Sequence, residues 1–113
     1  MNMDVSLTQK KCVPCENWVP PLTKDKIDSL MKQLKLEWVV SDDLKKIKHE
    51  FKFKNFKQAM EFVNKIAEIA EAEGHHPDIY IYYNRVVIEL TTHNIGGLSE
   101  NDYILAAKVE NLS

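Results

Sequence analysis

Two alternating apolar runs, joined by a two-residue connection, constrain the fold of this chain more than any other feature. The runs are Asp78–Tyr83 and Val86–Thr91, with Asn84 and Arg85 between them. Apolar residues recur at every second position in both runs, which is typical of strands that bury one face. Because the connection is so short, the sequence predicts an antiparallel β-hairpin.

The register of this hairpin would bring histidines together. If Tyr83 pairs with Val86, then His76 lies opposite His93, and directly opposed Cβ atoms are about 4.5–5.5 Å apart. His75 is the neighbour of His76 in the sequence. Three of the four histidines in the chain are therefore expected to meet at the open end of the hairpin.

One helix with clear end signals precedes the hairpin in the sequence, and another follows it. Asn55 is a typical cap for a long amphipathic helix, and Gly74 is suited to end that helix in a left-handed turn directly before the paired histidines. After the hairpin, Ser99 and Asp102 have the spacing of a capping box at the start of a final helix that runs to about Asn111. Asp102 therefore has a structural explanation independent of any chemistry.

The remaining elements complete an α+β pattern. A first helix is predicted from a cap at Thr23 to about Lys35, followed by strands over residues 36–40 and 44–53. The order is then α-β-β-α-β-β-α, with short connections between paired strands. Short connections favour antiparallel pairing. The sequence therefore predicts a two-layer α+β fold, a four-stranded antiparallel sheet with helices packed on one face.

Length and charge limit the classes of protein to which the chain can belong. Its 113 residues suffice for one domain, which we place at residues 23–113 behind an irregular N-terminal segment, residues 1–22. The net charge of −2 provides no strong field for nucleic acid, and the chain contains no apolar run of membrane-spanning length and no signal peptide. We expect a cytoplasmic protein that binds neither membranes nor nucleic acid directly.

The N-terminal segment contains a pair of cysteines with a spacing that can indicate redox or zinc chemistry. Cys12 and Cys15 form a Cys-x-x-Cys motif, but the chain has no second cysteine pair to complete a zinc site. Pro20 and Pro21 follow where a thioredoxin-like motif would open a helix. We interpret the motif as two reduced thiols that lie outside the packed elements and are dispensable.

The histidine trio leaves three interpretations open. The residues can be ordinary surface histidines, since most isolated histidines have no chemical role. They can also serve as general acids and bases, because imidazoles titrate near neutrality. A third interpretation is a metal site, because neutral imidazoles bind zinc and copper readily.

A composite motif resembles one known family. It consists of His75-His76-Pro77, then Tyr83-Asn84, Val86, Leu90, Thr92-His93, Gly97-Leu98-Ser99 and Asp102. Upstream it continues through Trp38, Phe51, Phe53, Phe56, Ala59, Phe62 and Ile66-Ala67. This pattern covers about residues 22–112 and resembles the pterin-4a-carbinolamine dehydratases.

The resemblance implies a reaction and a set of site residues. The reaction is the dehydration of a 4a-hydroxytetrahydropterin to the quinonoid dihydropterin, a step in tetrahydrobiopterin recycling. His75, His76 and His93 match the family's catalytic positions, and Glu71 and Asp102 match its supporting, substrate-binding positions. The family requires no metal and no other cofactor, its partner is the pterin substrate, and its members form homodimers or homotetramers.

The family also suggests an alternative function of a different class. Its members in animals serve as dimerisation cofactors for a transcription factor, so a homo-oligomeric binding module without chemistry is the competing hypothesis. A pterin turnover assay separates the two.

Overall fold

The computed structural model describes residues 6–14 and 18–112. Within these ranges the secondary structure runs, in chain order, through a 3-10 turn Leu7–Gln9, α1 (Lys24–Met31), β1 (Val39–Val40), β2 (Ile47–Lys52), α2 (Phe56–Glu73), β3 (Asp78–Tyr82), β4 (Arg85–Leu90), a 3-10 turn His93–Ile95 and α3 (Glu100–Glu110). The predicted α+β fold, with an α-β-β-α-β-β-α order, is confirmed.

The four strands form one antiparallel sheet in the order β1-β2-β4-β3. Strand β4, one of the two interior strands, supplies three fully buried side chains, Val86, Ile88 and Leu90, as expected when apolar residues alternate along a half-buried strand. In the helical layer, α3 contacts α1, α2 and the 3-10 turn at residues 7–9. Almost every residue of α3 is buried, so this helix lies at the centre of the layer.

The ends of α2 and α3 form as the sequence predicts. The Asn55 side chain accepts a hydrogen bond from the backbone N–H of Gln58, and Gly74 adopts a φ of 66°, the left-handed conformation that ends α2. Ser99 and Asp102 form the reciprocal capping box at the start of α3. Local hydrogen bonds therefore fix the helix end that precedes His75 and the helix start that contains Asp102.

The predicted hairpin register is wrong by one position on each strand. The turn consists of Tyr83 and Asn84, so that Tyr82 pairs with Arg85 and Ile79 pairs with Ile88. The reason is tertiary, because Asn84 is bound by the adjacent part of the sheet. Its backbone O accepts from Phe53 N–H at 2.8 Å, and its side-chain amide donates to Phe53 O at 3.1 Å. His76 and His93 therefore do not lie opposite each other in the β3–β4 ladder.

The first helix and first strand are shorter than predicted. Helix α1 ends at Met31, and β1 is confined to Val39–Val40. The residues between them are bound by Glu110, whose buried carboxylate accepts the backbone N–H groups of Lys35 and Leu36 at 3.0 and 2.7 Å. Backbone groups bonded to a carboxylate are not available for a strand ladder.

Residues 6–14 of the N-terminal segment pack on the domain, which corrects the expectation that the Cys12 thiol lies outside the packed elements. Leu7 is buried in the core, and Cys12 is half-buried against it. The backbone N–H of Cys12 donates to Glu73 Oε1 at 2.8 Å. Cys15 lies outside the described residues, and the proposed division of the chain at residue 22 stays a prediction. Within residues 6–14 and 18–112, no helix combines the length and apolar character needed to cross a membrane.

Candidate active site

The three clustered histidines lie in two neighbouring loops at one end of the sheet. His75 and His76 directly follow Gly74 at the end of α2, and His93 begins the 3-10 turn after β4. All three line one cavity of about 280 Å³. The structure thus brings the trio together as expected, although through loops and not through opposed ladder positions.

The first imidazole is held by a buried carboxylate. His75 Nε2 lies 2.6 Å from Asp102 Oδ1, and the Asp102 side chain is fully buried. The other carboxylate oxygen, Oδ2, accepts the Ser99 backbone N–H at 3.0 Å and the Thr92 hydroxyl at 2.8 Å. Asp102 therefore caps α3 and holds the His75 ring with the same carboxylate.

The second imidazole is held at the surface. His76 Nε2 is 2.5 Å from Glu71 Oε2, and both side chains are largely exposed. Glu71 lies in the last turn of α2, so the left-handed turn at Gly74 folds His76 back onto the helix from which it comes. An exposed pair of this kind contributes little to stability. Its effect is to orient the ring.

The third imidazole has a different environment. His93 is exposed, and no described residue hydrogen-bonds to its side chain. It lines the shared cavity, and no described carboxylate pairs with it as one does with His75 and His76. The cavity therefore contains two imidazoles of fixed orientation and one that is available to a ligand.

This arrangement can donate and accept protons. When a carboxylate accepts the N–H of one ring nitrogen, the tautomer is set and the other nitrogen becomes the acceptor in the neutral ring. His75 and His76 are held in this way through Nε2. Among the residues that the structure describes, no three histidine, cysteine, aspartate or glutamate side chains are grouped so that they could hold a metal ion.

The contacts of several residues in this region did not follow from the sequence. Thr92 is buried and links Asp102 to Ser99, whose hydroxyl is 2.7 Å from the Thr92 hydroxyl. Thr92 belongs to the composite motif, but neither the motif nor its place before His93 indicated that its hydroxyl would donate to Asp102. No periodicity or motif indicated that Cys12 and Glu73 would line a second cavity beside His75.

The surroundings of Cys12 disfavour the thiolate form of its side chain. Burial, with the Glu73 carboxylate as the next cause, raises the pKa of Cys12 to about 12. The thiol therefore stays protonated at neutral pH, whereas nucleophilic and metal-binding cysteines act as thiolates. Its Sγ lies 3.6 Å from Asn101 O, to which it donates.

Comparison with known proteins identifies the family. The family model described as pterin 4 alpha carbinolamine dehydratase matches residues 20–112. Curated proteins of Rickettsia bellii and Nitrosomonas eutropha, both named "Putative pterin-4-alpha-carbinolamine dehydratase", are 48% and 50% identical to the chain. The alignments cover 97% and 94% of this chain, and 96% and 92% of the relatives.

Two solved structures share the fold. A Brucella melitensis protein described as a transcriptional coactivator/pterin dehydratase superimposes with a TM-score of 0.77 at 34% identity, over 81% of this chain and 97% of that one. A pterin dehydratase-like protein described as a RuBisCO assembly factor in the alpha-carboxysome gives a TM-score of 0.60 at 25% identity, over 69% of this chain and 90% of that one. The match of the family model to most of the chain, together with near-full-length relatives at about half identity, shows that the chain belongs to the pterin-4-alpha-carbinolamine dehydratase family.

Proposed function

We propose that this protein dehydrates a 4a-hydroxytetrahydropterin to the quinonoid dihydropterin and water. The observation that carries the proposal is the cavity lined by His75, His76 and His93, in which Asp102 and Glu71 hold two of the three rings. The two curated relatives, both named "Putative pterin-4-alpha-carbinolamine dehydratase", support the same reaction.

The chemistry requires one acid and one base. Hydroxide is a poor leaving group, so the 4a-oxygen takes a proton as the C4a–O bond breaks. The N5–H bond then gives up its proton, and its electron pair forms the C4a=N5 double bond. One proton is supplied and one is removed, so the net protonation of the enzyme is unchanged, and proton exchange with solvent restores the acid and the base before the next turnover. Each positioned proton transfer is worth roughly 10²–10⁴-fold in rate.

Within this proposal, the hydrogen bonds of the carboxylates and histidines suggest which residues position the rings and which exchange protons. Asp102 and Glu71 act as positioning residues, since each accepts from an imidazole and neither needs to contact the reacting atoms. His93, which no described side chain engages, is available to exchange a proton with the substrate directly. We further propose that the protein acts in the cytoplasm in tetrahydropterin recycling, as a homodimer or homotetramer, and without a metal or other cofactor.

A binding module is the second candidate function. It is favoured by one specific finding, the fold similarity to proteins described as a transcriptional coactivator/pterin dehydratase and as a RuBisCO assembly factor. Such a role would need the fold and its surfaces but no proton transfer. Turnover measurements on histidine variants separate this candidate from the enzyme.

The test is a dehydratase assay on purified protein, with metal analysis of the same sample. We expect His76→Ala and His93→Ala each to lower turnover by roughly 10²-fold or more above the uncatalysed background. The rate should vary with pH between about 5 and 8, where imidazoles change charge.

The matched control is His49→Ala. This fourth histidine packs against the rings of Trp38 and Phe51 and lies outside the cavity, so turnover per folded molecule should not change. If His76→Ala and His93→Ala both keep the turnover of an active wild type, acid–base catalysis by this trio is wrong, whereas a wild type with no turnover above the uncatalysed background would make the binding module the better explanation. Activity abolished by a chelator would instead favour a metal mechanism.

A further inference from the structure

The first described residues of the chain run from the core to the edge of the candidate site. We call residues 7–13 the N-terminal strap. Its start is anchored by Leu7, which is buried in the core and belongs to the 3-10 turn that packs on α3. Its end lies beside His75, since Cys12 and Val13 line the same cavity as that residue. The strap therefore connects the core with the surroundings of the histidines.

Two consecutive backbone N–H groups of the strap bond to different helices. The Cys12 N–H donates to Glu73 Oε1 at 2.8 Å, and Glu73 is the last residue of α2. The Val13 N–H donates to Asn101 Oδ1 at 3.0 Å, and Asn101 Nδ2 donates back to Val13 O at 2.6 Å. Asn101 lies in the first turn of α3 and is buried. Since consecutive Cα atoms are about 3.8 Å apart, a single peptide unit of the strap joins the end of α2 to the start of α3.

These two helix ends carry the buried ion pair of the site. Gly74 and His75 directly follow Glu73, and Asp102 directly follows Asn101. His75 Nε2 lies 2.6 Å from Asp102 Oδ1, so this bond closes the same gap that the strap closes. If the helix ends separate, the strap bonds and the imidazole–carboxylate bond are lengthened together. A misplacement of about 1 Å can lower a catalysed rate by roughly 10²-fold.

We propose that the N-terminal strap is a positioning device for the reaction, which holds the His75 ring against Asp102 by joining Glu73 to Asn101. The inference rests on the proposed function and deepens it. Within it, Glu73 and Asn101 are positioning residues, because they act through His75 and Asp102. The strap bonds both of them through its backbone, so the device requires no reactive thiol at Cys12.

The first test is the exchange rate of the His75 ring proton, which does not depend on turnover. An ionised carboxylate can only accept, so the proton of the bond to Asp102 lies on His75 Nε2, in a side chain that is 11% exposed. Proton NMR should therefore show a protected ring N–H signal that His75→Gln removes. We expect Asn101→Ala and Glu73→Ala each to speed its exchange with water about tenfold or more, because the pair opens more often.

The second test is the dehydratase assay. Loss of a positioning bond in Asn101→Ala or Glu73→Ala should lower kcat about tenfold and leave KM within about twofold. Glu73→Gln is the matched variant. Its amide oxygen can still accept the Cys12 N–H, whereas the ion pair with Lys108 is lost in both replacements of Glu73. Glu73→Gln should therefore recover most of the turnover and most of the protection of the ring proton.

Two controls separate positioning from a general loss of stability. Lys10→Ala breaks the exposed pair that the strap makes with Glu100. Phe51→Leu loosens the core where Phe51 pairs with Val86, at the end of β4 that is remote from His93. Neither variant should change the exchange of the ring proton or kcat per folded molecule.

Wild-type exchange of the ring proton in both Asn101→Ala and Glu73→Ala would overturn the inference. A raised KM with an unchanged kcat would overturn it too, because the strap would then contact the substrate and not position His75. Equal losses in Glu73→Gln or Phe51→Leu would trace the effect to the ion pair or to stability, and would contradict it as well. If the wild type turned over no pterin above background, the proposed function would fail, whereas the exchange rates would still decide for or against the strap.

Discussion

The Asp102 side chain both caps a helix of the fold and contacts a histidine of the candidate site. Its carboxylate accepts from Ser99 N–H, from the Thr92 hydroxyl and from His75 Nε2, and it is fully buried. A buried carboxylate is costly unless hydrogen bonds satisfy it. The three donors meet that need, and they tie the start of α3, the end of β4 and the loop after α2 to one point.

Replacing Asp102 by Asn should therefore damage both stability and turnover. The amide of Asn has one oxygen, so it can accept at only one of the two positions that the carboxylate oxygens occupy. Its N–H₂ group would then face a donor of the protein in a buried place, at a cost of about 1–3 kcal/mol. His75 would also lose its fixed orientation, so turnover per folded molecule should fall roughly 10²-fold. Urea denaturation and the dehydratase assay measure the two effects.

Glu71→Gln is the matched control for that change. Glu71 also accepts from a histidine, but both partners are largely exposed. Stability should change by less than about 0.5 kcal/mol. A normal turnover rate for Asp102→Asn would show that orientation of His75 by this carboxylate is not needed.

Glu73 should make a contribution to stability that depends on pH. Its pKa lies below the ordinary value of 4.5, with the hydrogen bond from Lys108 as the largest cause. The folded state therefore binds this proton less tightly than the unfolded state does. The stabilisation is present above the ordinary value and is lost as pH falls through the lowered pKa of the folded state.

The measurement is the unfolding free energy of the wild type and Glu73→Gln between pH 7 and pH 3. The difference between the two proteins should be constant above about pH 5 and should shrink towards pH 3. Glu100→Gln, which breaks only the exposed pair with Lys10, should give a curve nearly parallel to the wild type throughout. A constant difference for Glu73→Gln across the whole range would contradict the assignment.

At the scale of elements, two connections carry residues in the left-handed conformation that are not glycine. Tyr83, in the β3–β4 turn, has a φ of 54°, and Leu44, before β2, has a φ of 62°. This conformation costs an L-residue with a side chain roughly 1–2 kcal/mol. Because Tyr83 is exposed and Leu44 packs against the core, the same change should have opposite effects at the two positions.

Tyr83→Gly should raise the unfolding free energy by about 0.5–1 kcal/mol, since strain is relieved and little packing is lost. Leu44→Gly should lower it, because the loss of buried contacts outweighs the relief of strain. Thermal and urea unfolding measure both variants. Destabilisation by Tyr83→Gly would mean that its ring contributes to the hairpin despite its exposure.

For the whole molecule, the distribution of exposed apolar side chains bears on assembly. Strand β3 is an edge of the sheet, and Tyr80, Ile81 and Tyr82 on it are exposed, as is Phe56 at the start of α2. Exposed apolar groups on an unpaired edge strand favour association with another chain. A single copy therefore exposes apolar surface that a homo-oligomer would bury.

We expect a homodimer or homotetramer in solution. Light scattering at micromolar concentration should give a mass that is two or four times the 13.1 kDa of one chain. Replacing Ile81 by Lys, which places a charge on the edge strand, should weaken an assembly that uses this edge. A species of 13.1 kDa alone for the wild type would contradict the expectation.

The sequence by itself determined the features that depend on neighbouring residues. The caps at Asn55, Gly74 and Ser99 could be read from residue type and spacing, because a helix end is satisfied by side chains within one turn. The alternation in β4 likewise identified its buried face. The clustering of the histidine trio also followed, since His75 and His93 flank a hairpin whose ends must meet.

Only the tertiary structure decided the features that depend on distant partners. The hairpin register was set by Asn84 binding Phe53, and strand β1 was shortened by Glu110, which lies more than seventy residues away in the sequence. The packing of Cys12 against Glu73 and Asn101 also joins residues far apart in the chain. Hydrogen bonds of this kind leave no periodic trace in a sequence, because nothing in the local pattern records which remote group will satisfy a donor or an acceptor.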